Sequence, residues 1–144
     1  MKYPKCFYLY AWHIIKVLLL DRMSKNITLT EDQECYLLKE YLDILMKQGK
    51  VLLYTHLAQE TFTKNFGTKM KNKRMGVYPG FPDYCILLPS IIVFIEMKRR
   101  KGGKLTDAQQ EWIIELNNYN DCVHAFVCYG FDEAKKLIDN AINR

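Results

Sequence analysis

Two apolar runs, Asp83 to Leu88 and Ile91 to Met97, are separated only by Pro89-Ser90. This feature constrains the chain most, because runs of that length rich in β-branched residues read as strands and a two-residue break joins them as a hairpin. Both runs are apolar enough to be buried on both faces. Counting outward from the break, Leu88 meets Ile91, and the same register places Asp83 across from Glu96. Directly opposed side chains in an antiparallel pair have Cβ atoms about 4.5–5.5 Å apart. Two carboxylates held that close in a buried sheet repel each other unless a cation neutralises them. A one-residue slip would turn them to opposite faces.

Lys98 follows Glu96 by two positions and so shares its face of the strand, while Met97 points the other way. A divalent cation with oxygen ligands uses one or two carboxylates together with water and substrate phosphate. A lysine beside it can orient or deprotonate a water, or stabilise charge growing on phosphate. A plainer reading exists: Asp83 as a turn residue after Pro82, and Glu96–Lys98 as an ordinary same-face ion pair.

Charge distribution bears on the choice. From Thr61 to Leu105 there are ten Lys/Arg and only two acids, Asp83 and Glu96, so more than the whole net charge of +5 sits there. Such a block is the footprint of a polyanion binder, although a solvated lysine-rich loop would look the same. The five cysteines include no CxxC pair, which argues for a reducing compartment and against a disulfide or zinc framework. With 49% hydrophobic and 26% charged residues, the composition is that of an ordinary folded domain.

The remaining elements follow from caps and periodicity. Thr30-Glu31-Asp32-Gln33 is a capping box, and Leu38, Tyr41, Leu42 and Leu45 recur at helical spacing, predicting a helix from Glu31 to Gln48. Val51 to Leu57 reads as a strand. Thr61 to Met75 is polar, basic and without period, so a long exposed loop is expected. Gly76 to Pro82 must turn. Thr106 caps a helix carrying Trp112, Ile113 and Leu116, with Trp112 expected in the core. A strand over Val123 to Tyr129 and a helix over Phe131 to Ile142 complete the series. His56 and His124, in strand-like apolar contexts, read as core or surface residues rather than ligands.

Residues 1–25 are expected to be a dispensable N-terminal extension preceding a domain over 26–144. Cys6 to Leu20 is apolar but broken by His13 and Lys16, lacks a cleavage signature, and is too short to span a bilayer. An added helix or a targeting segment is the alternative there, and Met23 is a candidate natural start.

The text GVYPGFPDYCILLPSIIVFIEMKRRKGGKLTDAQQEWIIEL, with Pro82-Asp83 and Glu96-x-Lys98 flanking a strand, resembles the VRR-NUC family of the PD-(D/E)XK nuclease superfamily. The likeness runs from Thr30 to about Ile142. It implies an α/β fold with a restriction-endonuclease-like core, a mixed central β-sheet flanked by helices in the order α-β-β-β-α-β-α. It also implies a metal-dependent DNA endonuclease using Mg²⁺ or Mn²⁺, with Asp83, Glu96 and the backbone carbonyl of Met97 as ligands. Lys98 would be catalytic, and Gln109 near the site, although Gln109 also fits a capping box with Thr106. A first-helix glutamate would face the metal: Glu34, on the inward face, is preferred to Glu31, whose place at the helix N-terminus has a dipole explanation. Lys69, Lys71, Lys73, Arg74, Arg99, Arg100 and Lys101 would contact DNA phosphates. Stand-alone members resemble Holliday-junction resolvases, so branched DNA, a homodimer and a cytoplasmic setting are expected, that of a phage protein in its host included, with no membrane and no cofactor beyond the metal. The rivals are a non-catalytic nucleic-acid binder and a sequence-specific restriction-type endonuclease.

Overall fold

The computed structural model describes residues 29–57 and 66–143. The expectations for residues 1–25, and the part of the expected loop from Thr61 to Asn65, lie outside them. The elements are α1 (Glu31–Lys47), β1 (Leu53–His56), α2 (Phe66–Arg74), β2 (Tyr84–Leu87), β3 (Ile92–Lys98), α3 (Asp107–Tyr119), β4 (Val123–Tyr129) and α4 (Phe131–Ile142). The four strands form one mixed sheet in the order β1-β2-β3-β4. The first three run antiparallel to their neighbours, and β4 returns parallel to β3. A parallel return needs a crossover, and α3 supplies it.

The hairpin register is the one counted from Pro89-Ser90. Tyr84 pairs with Ile95, Cys85 with Phe94, Ile86 with Val93 and Leu87 with Ile92, and the Leu88 N–H donates to the Ile91 carbonyl at 2.9 Å. Alternation then sorts the side chains. Val93, Ile95 and Met97 join Tyr84 and Ile86 in a core completed by Leu38, Leu42 and Leu45 of α1 and by Phe131, Ala134 and Ile138 of α4. The opposite face carries Phe94, Glu96 and Lys98 and is covered by α3 and the turn before Asp83. There Phe81 stacks edge-on against both Phe94 (5.4 Å) and Trp112 (4.7 Å). Trp112 is therefore half-buried in this aromatic cluster and not in the main core, because its indole N–H donates to the Pro79 carbonyl at 3.0 Å near the surface.

Both predicted capping boxes form, at Thr30 with Gln33 and at Thr106 with Gln109. One element differs from expectation. Phe66–Arg74 is a helix where the lack of period predicts an exposed loop, so the order is α-β-α-β-β-α-β-α. Its sequence, FGTKMKNKR, has no apolar face for a periodicity argument to find. Its straight-chain lysines keep their rotamer freedom in a helix, and Lys71, Lys73 and Arg74 in the last turn complement the dipole. Among the described residues no helix is long and apolar enough to cross a membrane, and no disulfide forms. Cys128 is buried and Cys35 and Cys85 half-buried, while Cys122 is exposed.

Candidate active site

β3 delivers Glu96, Met97 and Lys98 at its C-terminal end, and the hairpin register brings Asp83 alongside, one residue before β2 begins. Asp83 Oδ2 accepts the Met97 backbone N–H at 2.8 Å, which anchors the carboxylate at the sheet end. Glu96 is 1% exposed and Lys98 9%. Lys98 Nζ lies 2.5 Å from Glu96 Oε1, and the Gln109 side-chain amide donates to the same oxygen. Glu96 Oε2 is buried with no hydrogen-bond partner among the described residues. A buried carboxylate oxygen left unpaired costs free energy, so a ligand is its natural complement.

The electrostatics agree. Burial, reinforced by Asp83 and opposed by Lys98, pushes the Glu96 carboxyl up to about 7. Burial also raises Asp83, against the Met97 N–H and the charges of Lys98 and His56. Glu96 therefore holds in the folded state a proton that the unfolded chain releases near 4.5. Its contribution to stability is complete below that pH and is lost as pH rises through about 7. In EDTA, the urea midpoint is expected to fall across this window, and Glu96→Gln should flatten the fall. An equal slope in wild type and variant would contradict this assignment.

Gln109 fills both roles the sequence allows. Its Oε1 accepts the Thr106 N–H at 3.0 Å, closing the cap, while its amide nitrogen reaches Glu96. The cap thus fixes the orientation of a side chain that touches the site.

The two first-helix glutamates part company. Glu34 is fully buried, but its carboxylate is occupied: Arg100 Nε lies 2.5 Å from Oε1, and the Phe131 N–H donates to Oε2 at 2.7 Å. Glu31 is half-exposed, and its charge acts on both Asp83 and Glu96. The ion pair removes the ground on which the sequence prefers Glu34, and Glu31 is left as the first-helix glutamate whose charge reaches Asp83 and Glu96. Periodicity favours Glu34 for facing inward, and it does, toward a structural ion pair. Arg100 is corrected with it. Its guanidinium bridges Glu34 and Asp132 (2.6 Å) instead of standing free for phosphate. Gly130 makes room for it, because a Cβ there would come within 2.7 Å of Arg100 Cγ, at a backbone φ of +93° that side chains rarely adopt.

Of the other predicted phosphate contacts, Arg99 and Lys101 are exposed in the turn after β3, and Lys71, Lys73 and Arg74 are exposed on α2, which also carries Lys69. His56 is exposed and stacks on Tyr84 at 4.7 Å. Its effect on Asp83 is a proximity the sequence does not reveal, since it depends on β1 pairing with β2.

The VRR-NUC domain model matches residues 29–132, most of the chain and all of the elements just described except α4. The chain belongs to the VRR-NUC family. A solved structure described as a VRR_NUC domain protein superposes with a TM-score of 0.60 at 24% identity, covering 81% of this chain and 91% of that one. At that identity the likeness establishes a shared fold. No curated protein matches the chain. Membership of the VRR-NUC family gives a nuclease-type function with DNA as the substrate class. The VRR-NUC segment begins at residue 29, where α1 is about to start, and contains Asp83, Glu96, Lys98 and Gln109.

Proposed function

We propose that this VRR-NUC protein hydrolyses DNA phosphodiester bonds with Mg²⁺ or Mn²⁺ held by Asp83, Glu96 and the Met97 carbonyl. The observation that carries the proposal is the buried, unpartnered Glu96 Oε2 beside a second carboxylate. The donor set is all oxygen. Among the described residues no group of three or more His, Cys, Asp or Glu is placed to hold a metal. That fits a hard ion that keeps several waters and takes phosphate as ligand, and not a closed zinc site. When bound, such an ion neutralises the scissile phosphate and acidifies water.

The chain's own residues do the rest. Lys98, tethered to Glu96 Oε1, holds its ammonium next to that carboxylate and can stabilise charge developing on a phosphate bound there. Gln109 holds the same oxygen, leaving Oε2 for the ion. Glu31, on α1, adds negative charge to the field at the two carboxylates. The intact Asp83, Glu96 and Lys98 set favours catalysis over binding alone.

The basic residues of α2, with Arg99 and Lys101 of the turn after β3, contact backbone phosphates, which position DNA without reading its sequence. Recognition by DNA shape follows, and branched DNA cut by a homodimer is the form we favour. One 17.1 kDa protomer offers a small surface for a four-way junction, and two symmetry-related sites would match its paired strands. End-labelled junction and linear duplex of equal length, incubated with Mg²⁺ and resolved on denaturing gels, test this. The junction should be cut at least about tenfold faster, and equal rates would refute shape selection. Replacing Lys71, Lys73 and Arg74 together should weaken binding to all sequences alike. It should also reduce the slope of log K against log salt by roughly 2 to 3, since each phosphate contact to duplex contributes about 0.9.

A further inference from the structure

A shallow hollow of about 280 Å³ opens beside the first turns of α3, walled by Tyr78, Glu111, Trp112 and Glu115. The phosphodiester chemistry uses none of these side chains. Tyr78 is 59% exposed, yet its mount is rigid. Its ring meets Trp112 edge-on at 6.1 Å, and Trp112 in turn grips the same turn through Pro79 and Phe81. Gly80 presses that turn onto α3 so closely that a Cβ would lie 2.6 Å from the Ala108 carbonyl carbon. An exposed aromatic ring already held in place loses little freedom when something stacks on it. Gln109, which touches Glu96, precedes Trp112 by three residues, so the hollow lies about one helical turn from the site.

We propose that this hollow receives one unpaired nucleobase of the DNA substrate, stacked on Tyr78, with its exocyclic amine donating to Glu111 or Glu115. The inference rests on the nuclease reading above. Two glutamates exclude a phosphate from the hollow itself. The cations Lys71, Lys73 and Arg74, however, lie on the helix that ends four residues before Tyr78, and the Val77 N–H donates to the Asn72 carbonyl of that helix at 3.0 Å, so phosphate-binding charge stands next to the turn that carries the ring. Base–aromatic stacking tolerates any base, whereas a carboxylate selects those carrying an amino donor, such as cytosine. The substrate class is DNA in which a strand leaves the duplex close to the cut: a splayed arm, a flap or an open junction arm.

The full-length chain carrying Asp83→Asn, expected to cut at least about a hundredfold more slowly, is titrated in EDTA, so that the DNA stays intact, into splayed-arm DNA with 2-aminopurine at the first unpaired position. Stacking should quench the fluorescence. Adding Tyr78→Ala should abolish the quench and weaken binding about tenfold, the loss of one stacked contact, while Tyr78→Phe retains both. A fully paired duplex should bind all three proteins alike. Thermal melting at the parent midpoint shows that Tyr78→Ala is folded; should the midpoint fall, the parent protein titrated into splayed-arm DNA lacking the base at that position gives the test without a mutation at Tyr78, and should bind about tenfold more weakly than the intact DNA. Absence of quenching with binding intact, or an equal loss on duplex and splayed arm, overturns the proposal. So does an arginine-rich peptide that shields Trp112 when DNA does not, which would assign the hollow to a cationic protein partner. These readouts use uncut DNA, so their failure leaves hydrolysis standing. Failure of wild type to cut any DNA with Mg²⁺ or Mn²⁺ would instead strike the nuclease reading.

Discussion

Asparagine in place of Asp83 is expected to slow metal-dependent cleavage by at least about a hundredfold and to raise the melting temperature of the metal-free protein. The two effects share one cause. Mutating even the outer-shell partners of a metal site typically lowers affinity or activity by about 10–100-fold, so if Asp83 is the direct ligand proposed above, the upper end of that range is the least loss expected. The substituted side-chain amide would keep an oxygen to accept the Met97 N–H but would carry no charge. Burial disfavours the Asp83 charge, and that charge helps to raise Glu96, so its removal relieves both in the metal-free fold. Lys98 retains its partner, because Glu96 is untouched. Gel-based rates and calorimetry in EDTA at pH 8 measure the pair of effects. A variant cutting at the wild-type rate would remove Asp83 from the site.

The second large effect concerns stability. Glu34→Ala is expected to destabilise the fold by about 3 kcal/mol, near the lower end of what breaking a buried ion pair costs. The lower end applies because the Arg100 side chain is 33% exposed and can regain some water. Two donors lose their acceptor at once: the guanidinium and the Phe131 N–H that starts α4. The melting temperature should drop by roughly 10 °C. Glu34→Gln, which keeps an acceptor, should lose less, and Arg100→Lys should lose the forked contact. Equal loss in Glu34→Ala and Glu34→Gln would assign the effect to charge alone.

Much of this site is legible in the sequence. The two-residue break at Pro89-Ser90 leaves one register, and parity then puts Asp83, Glu96 and Lys98 together. Both helix caps are local, each written in four consecutive residues. What escapes depends on distant partners. Glu31 and Glu34 are three residues apart on neighbouring positions of one helix surface, so periodicity cannot separate them. The deciding contact is with Arg100, 66 residues further on. By the same token Arg100, in a run of cations, reads as a phosphate ligand until Glu34 and Asp132 are seen around it. α2 escapes for a different reason: it is held by propensity and end charges, which leave no hydrophobic period to read. Trp112 reads as core because a large aromatic in a helix usually is. Its indole N–H needs an acceptor and finds Pro79 at the rim.

If the oxygens of Asp83 and Glu96 hold the ion that drives hydrolysis, cleavage must come and go with the metal. The most direct measurement follows end-labelled branched DNA with the wild-type chain in Mg²⁺, in EDTA, and in EDTA with Mg²⁺ restored in excess. Discrete hydrolysis products are expected in the first and third reactions and intact DNA in the second. Shifted but uncut DNA in Mg²⁺ and in Mn²⁺, or cutting that persists in EDTA, would contradict metal-dependent hydrolysis.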